Sequence, residues 1–487
     1  MWSDNNYTIK WYEKGGNVLT FSTQTVLSKI GNISEKLDPR KSSINTITFD
    51  FEVDNPNDEF SKFLYNKLST RGKMFFREVV EVYKKDFILY KGFVRNIKLK
   101  DSLESKYSIQ LENVIGKLKT SLWDREFSEY VLETVTDVNN TRLATGFVME
   151  ERIKDETKPV EEQETYRVII YTGHIFDCLK GIMQMTLSKP EIQVNTLFLD
   201  NNYQNFLDLV KFEEVKAEFD STIYTVNFEW IEPIENIFEF FQEQIFQAVG
   251  VVPVVTRSGK LVMKVHQQPT VTQGIRRFDE MNTIKYNSKG IDESQVVNYL
   301  KIDYVKDNDD YLKSLIKINS GSFEFFGNEL IPEKPQQIKV DSINNHSRAD
   351  QVTFCSNIAD RLFSRYSREI NVLDIKLPIQ EGYNVELGEF VDISTDVLVD
   401  WENGERGFTE KIDEGGNPIA RFDVGDIWGG FIEDNTLGVG ADGQIVVTTT
   451  IKEINTNYFR DISTTDNIKS FLENHAEVRK WVDSQNG

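Results

Sequence analysis

Residues Thr46 to Val53, TITFDFEV, alternate strictly, with Ile47, Phe49, Phe51 and Val53 on one face and Thr46, Thr48, Asp50 and Glu52 on the other. A period of two is that of a strand with one face turned to a core. DNPND (Asp54 to Asp58) punctuates it, and FSKFLYNKL (Phe60 to Leu68) places Phe60, Phe63, Leu64 and Leu68 at helical spacing. Strands are expected again at Met74 to Val82, Tyr90 to Leu99 and Lys106 to Val114. The natural closure is a twisted antiparallel sheet or barrel.

Beyond residue 120 the pattern is mixed. Leu122 to Val135 reads as helix, and the very polar Glu150 to Thr165 as a solvated loop or hairpin tip. Ile175, Cys178, Leu179, Ile182 and Met183 recur at i, i+3, i+4, i+7 and i+8, an amphipathic helix. A second helix is expected from Pro233 at its first position, through Ile237, Phe238, Phe241, Ile245 and Val249, to Gly250 as its stop. A hairpin turning at Arg257-Ser258-Gly259 follows. Strands resume at Val296 to Val305. A helix over Ser347 to Tyr366 then carries a narrow apolar seam of Val352, Cys355, Ala359, Leu362 and Tyr366, which packs on its own domain or meets another subunit. Strands at Asn371 to Ile379, Asn384 to Ser394 and Gln444 to Ile454 follow, and Ile468, Phe471, Leu472 and Val482 define a last amphipathic helix, a second interface candidate.

The expected fold is therefore mainly β with an α+β insertion. The first β domain covers 1–120, the insertion 121–290 (with 206–232 a candidate part of the second β domain), the second β domain 291–395, and a C-terminal β region with the terminal helix 396–487. At 487 residues the chain has room for about three domains.

Composition narrows the function. Lys and Arg total 56 against 78 Asp and Glu, a formal charge of −22, which argues against a broad phosphate-neutralising surface for nucleic acid. Cys178 and Cys355 are the only cysteines, so neither a disulfide framework nor a Cys-rich metal module is expected. No signal peptide or membrane span is expected either. GVGADG (Gly438 to Gly443) satisfies GxGxxG, but a strand follows it where a dinucleotide site needs a helix, so it reads as a hairpin turn. His174, His266, His346 and His475 form no ligand pair. We expect no catalytic residues, no cofactor and no metal.

The order of these pieces resembles the hub proteins at the tail tip or baseplate of tailed bacteriophages, a family also found in gene-transfer agents and contractile injection machines. The resemblance is carried by KIGNISEKLDPRKSSINTITFDFEVDNPNDEFSKFLYNKLSTRGKMFF (Lys29 to Phe76) followed by YKGFVRNIKL (Tyr90 to Leu99). It continues through the helix and Gly-Lys-Leu hairpin of Phe238 to Val265, VVNYLKIDYV (Val296 to Val305) with SGSFEFFG (Ser320 to Gly327), and DRLFSRYSREINVLDIKLPI (Asp360 to Ile379) with LGEFVDIS (Leu387 to Ser394). It implies tail-tube-like β domains in a structural, non-enzymatic virion protein. It further implies a homotrimer that joins a tail tube or distal tail protein to a spike, fibre or tape-measure protein, around a channel the genome crosses without specific binding. The acidic balance reads either as ordinary surface charge that serves solubility or, under this resemblance, as a channel lining that keeps DNA phosphates from sticking. The alternative is a carbohydrate-binding or glycan-cleaving protein that stacks sugars on some of its 7 Trp and 18 Tyr.

Overall fold

A computed structural model describes residues 7–12, 18–22, 27–45, 48–55, 58–71, 78–101, 106–122, 144–154, 157–187, 202–265, 276–279, 283, 285–292, 296–307, 310–325, 336–367, 370–393, 429–439 and 445–454. Residues 123–135 of the helix expected from Leu122, and the segment of the expected terminal helix with Ile468, Phe471, Leu472 and Val482, lie outside them. The described chain is mainly β.

Strands β1 (Tyr7–Tyr12), β2 (Val18–Ser22), β3 (Leu27–Ile30), β4 (Ile33–Asp38), β5 (Ser43–Ile44), β6 (Thr48–Asp54), β7 (Val79–Lys84), β8 (Phe87–Asp101) and β9 (Lys106–Glu112) fill the first part of the chain. Seven of them form one antiparallel sheet in the order β2-β1-β7-β8-β9-β6-β3. In β6 Phe49, Phe51 and Val53 are buried and Asp50 is exposed as the alternation predicts, while Glu52, expected on the outward face, is buried too; Thr46 and Ile47 lie outside the described residues. The helix Glu59–Arg71 lies over this sheet, with Phe60 and Phe63 set against Trp11 at ring distances of 6.3 and 5.6 Å. Its start is fixed by Asn55, whose side-chain oxygen accepts from the backbone N–H of Phe60 and Ser61 at 2.8 and 3.2 Å, satisfying donors a helix leaves open at its beginning.

The α+β region contains β10 (Phe147–Ile153), β11 (Thr165–His174) and β12 (Thr225–Trp230) as a three-stranded sheet, and the hairpin β13 (Val251–Val255) with β14 (Leu261–Val265). The polar stretch from Glu150 is thus the tip of the β10–β11 hairpin, with the strand persisting to Ile153. Segment 206–232 gives its strand, β12, to this small sheet through pairing with β11 rather than to the second large one. The helix Ile175–Leu187 forms as its spacing predicts, and Ile175, Cys178, Leu179, Ile182 and Met183 are buried. The next helix starts later than Pro233. Asn236 caps it by accepting from the backbone N–H of Glu239 at 3.2 Å, because an amide oxygen satisfies an open N–H and a proline ring cannot. It runs through Ile237–Phe240, a wider π turn over Phe241–Phe246, and Gln247–Val249, and stops at Gly250, which is left-handed at φ 71°.

The last part holds β15 (Arg276–Phe278), β16 (Lys285–Asp292), β17 (Tyr299–Asp307), β18 (Asp310–Ile318), β19 (Gln336–Val340), β20 (Ile370–Pro378), β21 (Phe390–Ile393), β22 (Gly429–Val439) and β23 (Ile445–Ile454). The second large sheet runs β15-β21-β22-β23-β20-β16. Strands β22 and β23, expected in a separate region after residue 395, are therefore continuous with β20. Gly438 and Val439 of GVGADG are the last residues of β22, Gly438 paired to Val446, and 440–443 of that segment lie outside the described residues. Strands β18, β17 and β19 make a further sheet, contacted by the helix Arg348–Tyr366.

One strand does not stay with its neighbours in sequence. Strand β4 leaves the first sheet and pairs antiparallel with β22, Ile33 opposite Leu437 and Lys36 opposite Asp434, while β5 folds back on β4. An amino-terminal hairpin thereby completes a carboxy-terminal sheet of eight strands.

Candidate functional site, the clasp between the two sheets

The β4–β5 clasp is where the most unusual chemistry of the described chain collects. Along β4, Ile33, Glu35 and Leu37 point inward while Ser34 and Lys36 point to solvent. Glu35 occupies an apolar position, and burial pushes its carboxyl up to about 7, with Arg257 and Lys264 pulling it down and Glu386 and Asp434 pushing it further up. Around it, Lys264 pairs with Glu386 at 3.0 Å and Arg276 with Glu389 at 3.2 Å. Arg257 Nε donates to the Tyr383 carbonyl at 2.8 Å, and the Tyr383 hydroxyl donates to the Ile88 carbonyl of β8 at 2.8 Å. First sheet, buried hairpin and second sheet are thus tied through one polar network.

At the far end of β4 the turn Pro39–Lys41 closes on Ser42, left-handed at φ 47°. Arg40 Nε approaches Asp38 at 3.4 Å, and the Gln336 amide of β19 donates to the Arg40 carbonyl at 3.2 Å. The helix Arg348–Tyr366 faces this turn, capped by Ser347, whose hydroxyl accepts from the Asp350 N–H at 3.2 Å. Between them lies a small cleft lined by Arg40, Arg361, Arg365, Gln247 and Gly250 among others. Arg365 is buried, its guanidinium 3.6 Å from Glu433, donating to the Lys452 carbonyl at 3.3 Å and resting on the rings of Tyr366 and Phe431. Burial raises the Glu433 carboxyl, while Lys452 at 3.0 Å and Arg365 draw it back.

The seam predicted on this helix splits. Cys355, Ala359 and Tyr366 are buried within the chain, Leu362 is half-buried at the cleft, and Val352 is 36% exposed. The clasp residues themselves were not singled out by spacing. One signal was present, an acid at the inward position of ISEKLD, where the alternation of β4 calls for an apolar side chain. Arg361, Arg365, Glu433 and Lys452 have no such local mark.

This arrangement joins and holds. Guanidinium groups stay charged and offer fixed hydrogen-bond forks, not proton transfer. Among the described residues no group of His, Cys, Asp and Glu has metal-holding geometry, and no helix is long and apolar enough to cross a membrane. His174 and His346 have separate surroundings. The His174 ring lies by the Phe219 carbonyl and accepts from the Phe176 N–H, and His346 meets the Thr225 carbonyl.

No family profile matches the sequence, and no curated protein sequence matches it. Among solved structures, the chain is similar to a tail protein from Neisseria meningitidis MC58 at 11% identity and TM-score 0.41, covering 94% of this chain and 99% of that one. It is similar to the 43 kDa tail protein of prophage MuSo2 from Shewanella oneidensis at 8% identity and TM-score 0.40, covering 93% and 99%. It is also similar to the prophage tail protein gp18 from Listeria monocytogenes EGD-e at 12% identity and TM-score 0.41, covering 98% and 99%. At such scores the likeness describes overlap along the chains and fixes neither fold nor role.

Proposed function

We propose that the chain is a structural tail protein of the phage type, a hub that ends a tail tube and adapts its symmetry to a spike or fibre assembly around a DNA exit channel. The observation that carries this reading is the seven-stranded antiparallel sheet built within residues 7–112, which takes in parts of the two segments, Lys29 to Phe76 and Tyr90 to Leu99, that resemble the amino-terminal barrel of tail hubs. Its terminal strands β2 and β3 each pair on one side only among the described residues, which leaves backbone donors and acceptors for mating edge to edge. In this reading the second large sheet is the other tube-like module, and the clasp keeps the two modules in fixed relation. Subunit contacts bury an obligate interface above roughly 2,000 Å².

The test is the solution mass of the purified full chain by light scattering, with negative-stain images of the same sample. The expected result is a trimer, about three times 56.5 kDa, seen as a ring with a central opening. A stable monomer that degrades capsular polysaccharide would overturn the hub and favour the glycan-directed alternative.

A further inference from the structure

We propose that the cleft between the Pro39–Lys41 turn and the helix Arg348–Tyr366 is a binding site for a small oxyanion of the inorganic phosphate class, held by Arg361 and Arg40. The cleft is small and lies between the turn, the helix and Gly250, a place for one small anionic head.

The donors are unequally committed. Arg365 serves Glu433 and the Lys452 carbonyl. Arg361 sends Nη2 to the Tyr224 hydroxyl at 3.1 Å and lays its guanidinium on the Phe219 ring at 4.9 Å. Its Nη1 is shut off from solvent and has no hydrogen-bond partner among the described residues. A buried donor left unmade is destabilising, more so when charged, and an oxyanion beside it removes that penalty through a charge-assisted bond.

The neighbouring acids do not meet this need. Asp38 sits on Arg40, Glu433 is shared by Lys452 and Arg365, and Glu218, whose carboxyl burial raises and Arg361 draws back down, makes no hydrogen bond to Arg361 Nη1. In a chain of net charge −22, three arginines from a turn and a helix converge on one cleft, and of these Arg361 keeps a nitrogen with no hydrogen-bond partner among the described residues. An anion there straps the clasp turn to the helix, so binding and stability of the joint are linked.

The experiment is thermal unfolding and isothermal titration of the full-length chain with inorganic phosphate, at constant ionic strength balanced by chloride, with acetate as a second arm. The expected result is a saturable rise in unfolding temperature and a matching binding isotherm. Arg361→Gln and Arg40→Gln should each weaken binding by roughly tenfold or more, and Arg361→Lys, which keeps the charge and loses the fork, should weaken it too. An equal saturable response to acetate supports an oxyanion site open to carboxylates, and a response to phosphate alone supports a tetrahedral one. A response that never saturates, or that is unchanged in Arg40→Gln and in whichever Arg361 variant folds, overturns the proposal. Arg40 stands on a partly exposed turn, so its variant keeps the test decisive if Arg361 variants fail to fold.

Discussion

At the scale of single residues, Glu35 is the costliest feature of the clasp. Its inward position in β4 is set by the same alternation that buries Ile33 and Leu37, and desolvation lifts its carboxyl from 4.5 to about 7. A carboxyl whose folded value is raised binds its proton more tightly in the native state. Stability is therefore highest below the unfolded value, falls as pH rises from about 4.5 to about 7, and stays reduced above that. Glu35→Gln should raise stability by about 2–3 kcal/mol at pH 8 and by little near pH 4.5. Urea midpoints measured at both pH values check this, and an equal gain at both would contradict the assignment to burial.

At the scale of elements, the ends of helices are fixed by particular atoms. Gly250 ends the helix that begins after Asn236, at φ 71°, and a Cβ added there would stand 2.7 Å from Arg361 Cδ. Two penalties coincide, left-handed backbone for a residue with a Cβ and a collision with the arginine that lines the cleft. Gly250→Ala is expected to cost about 1–2 kcal/mol from the backbone alone, read as a lower urea midpoint. Its phosphate response should weaken as well, since the three atoms nearest the new methyl, at 2.7, 3.3 and 3.6 Å, all belong to the Arg361 side chain, which has to shift. The π turn at Phe241–Phe246 belongs to the same helix. It contains Gln244, buried, whose side-chain oxygen accepts from the Asp341 N–H at 3.0 Å.

At the scale of the whole molecule, the defining event is that β4 and β5 belong to the first part of the chain by sequence and to the second large sheet by pairing. The two sheets are consequently interlocked and not merely joined end to end. Ser34 lies opposite Thr436 in the β4–β22 register, their hydroxyls 3.1 Å apart, while the native Cys178 and Cys355 are buried and free. A Ser34→Cys, Thr436→Cys variant should form its new disulfide within one chain on mild oxidation. A non-reducing denaturing gel should then show a single-chain band of altered mobility. Cross-linked multimers would mean that the strand is exchanged between copies.

The sequence by itself determined what depends on near neighbours along the chain. The period of two in β6 and the i, i+3, i+4 spacing of Ile175 to Met183 are set by each element's own backbone geometry, so the faces they bury were legible from residue types alone. Gly250 as a stop was legible for the same reason. Pro233 as a start was not, because Asn236 supplied the capping oxygen that decides where open N–H groups are satisfied. Only the tertiary structure decided the partners of each strand edge. A strand offers its backbone hydrogen bonds without regard to sequence distance, so Ser34 meets Thr436 across 402 residues with nothing in either segment to announce it. The cleft of Arg40, Arg361 and Arg365 exists only once that pairing has brought a turn and a helix together, and its charge is a property of the packing.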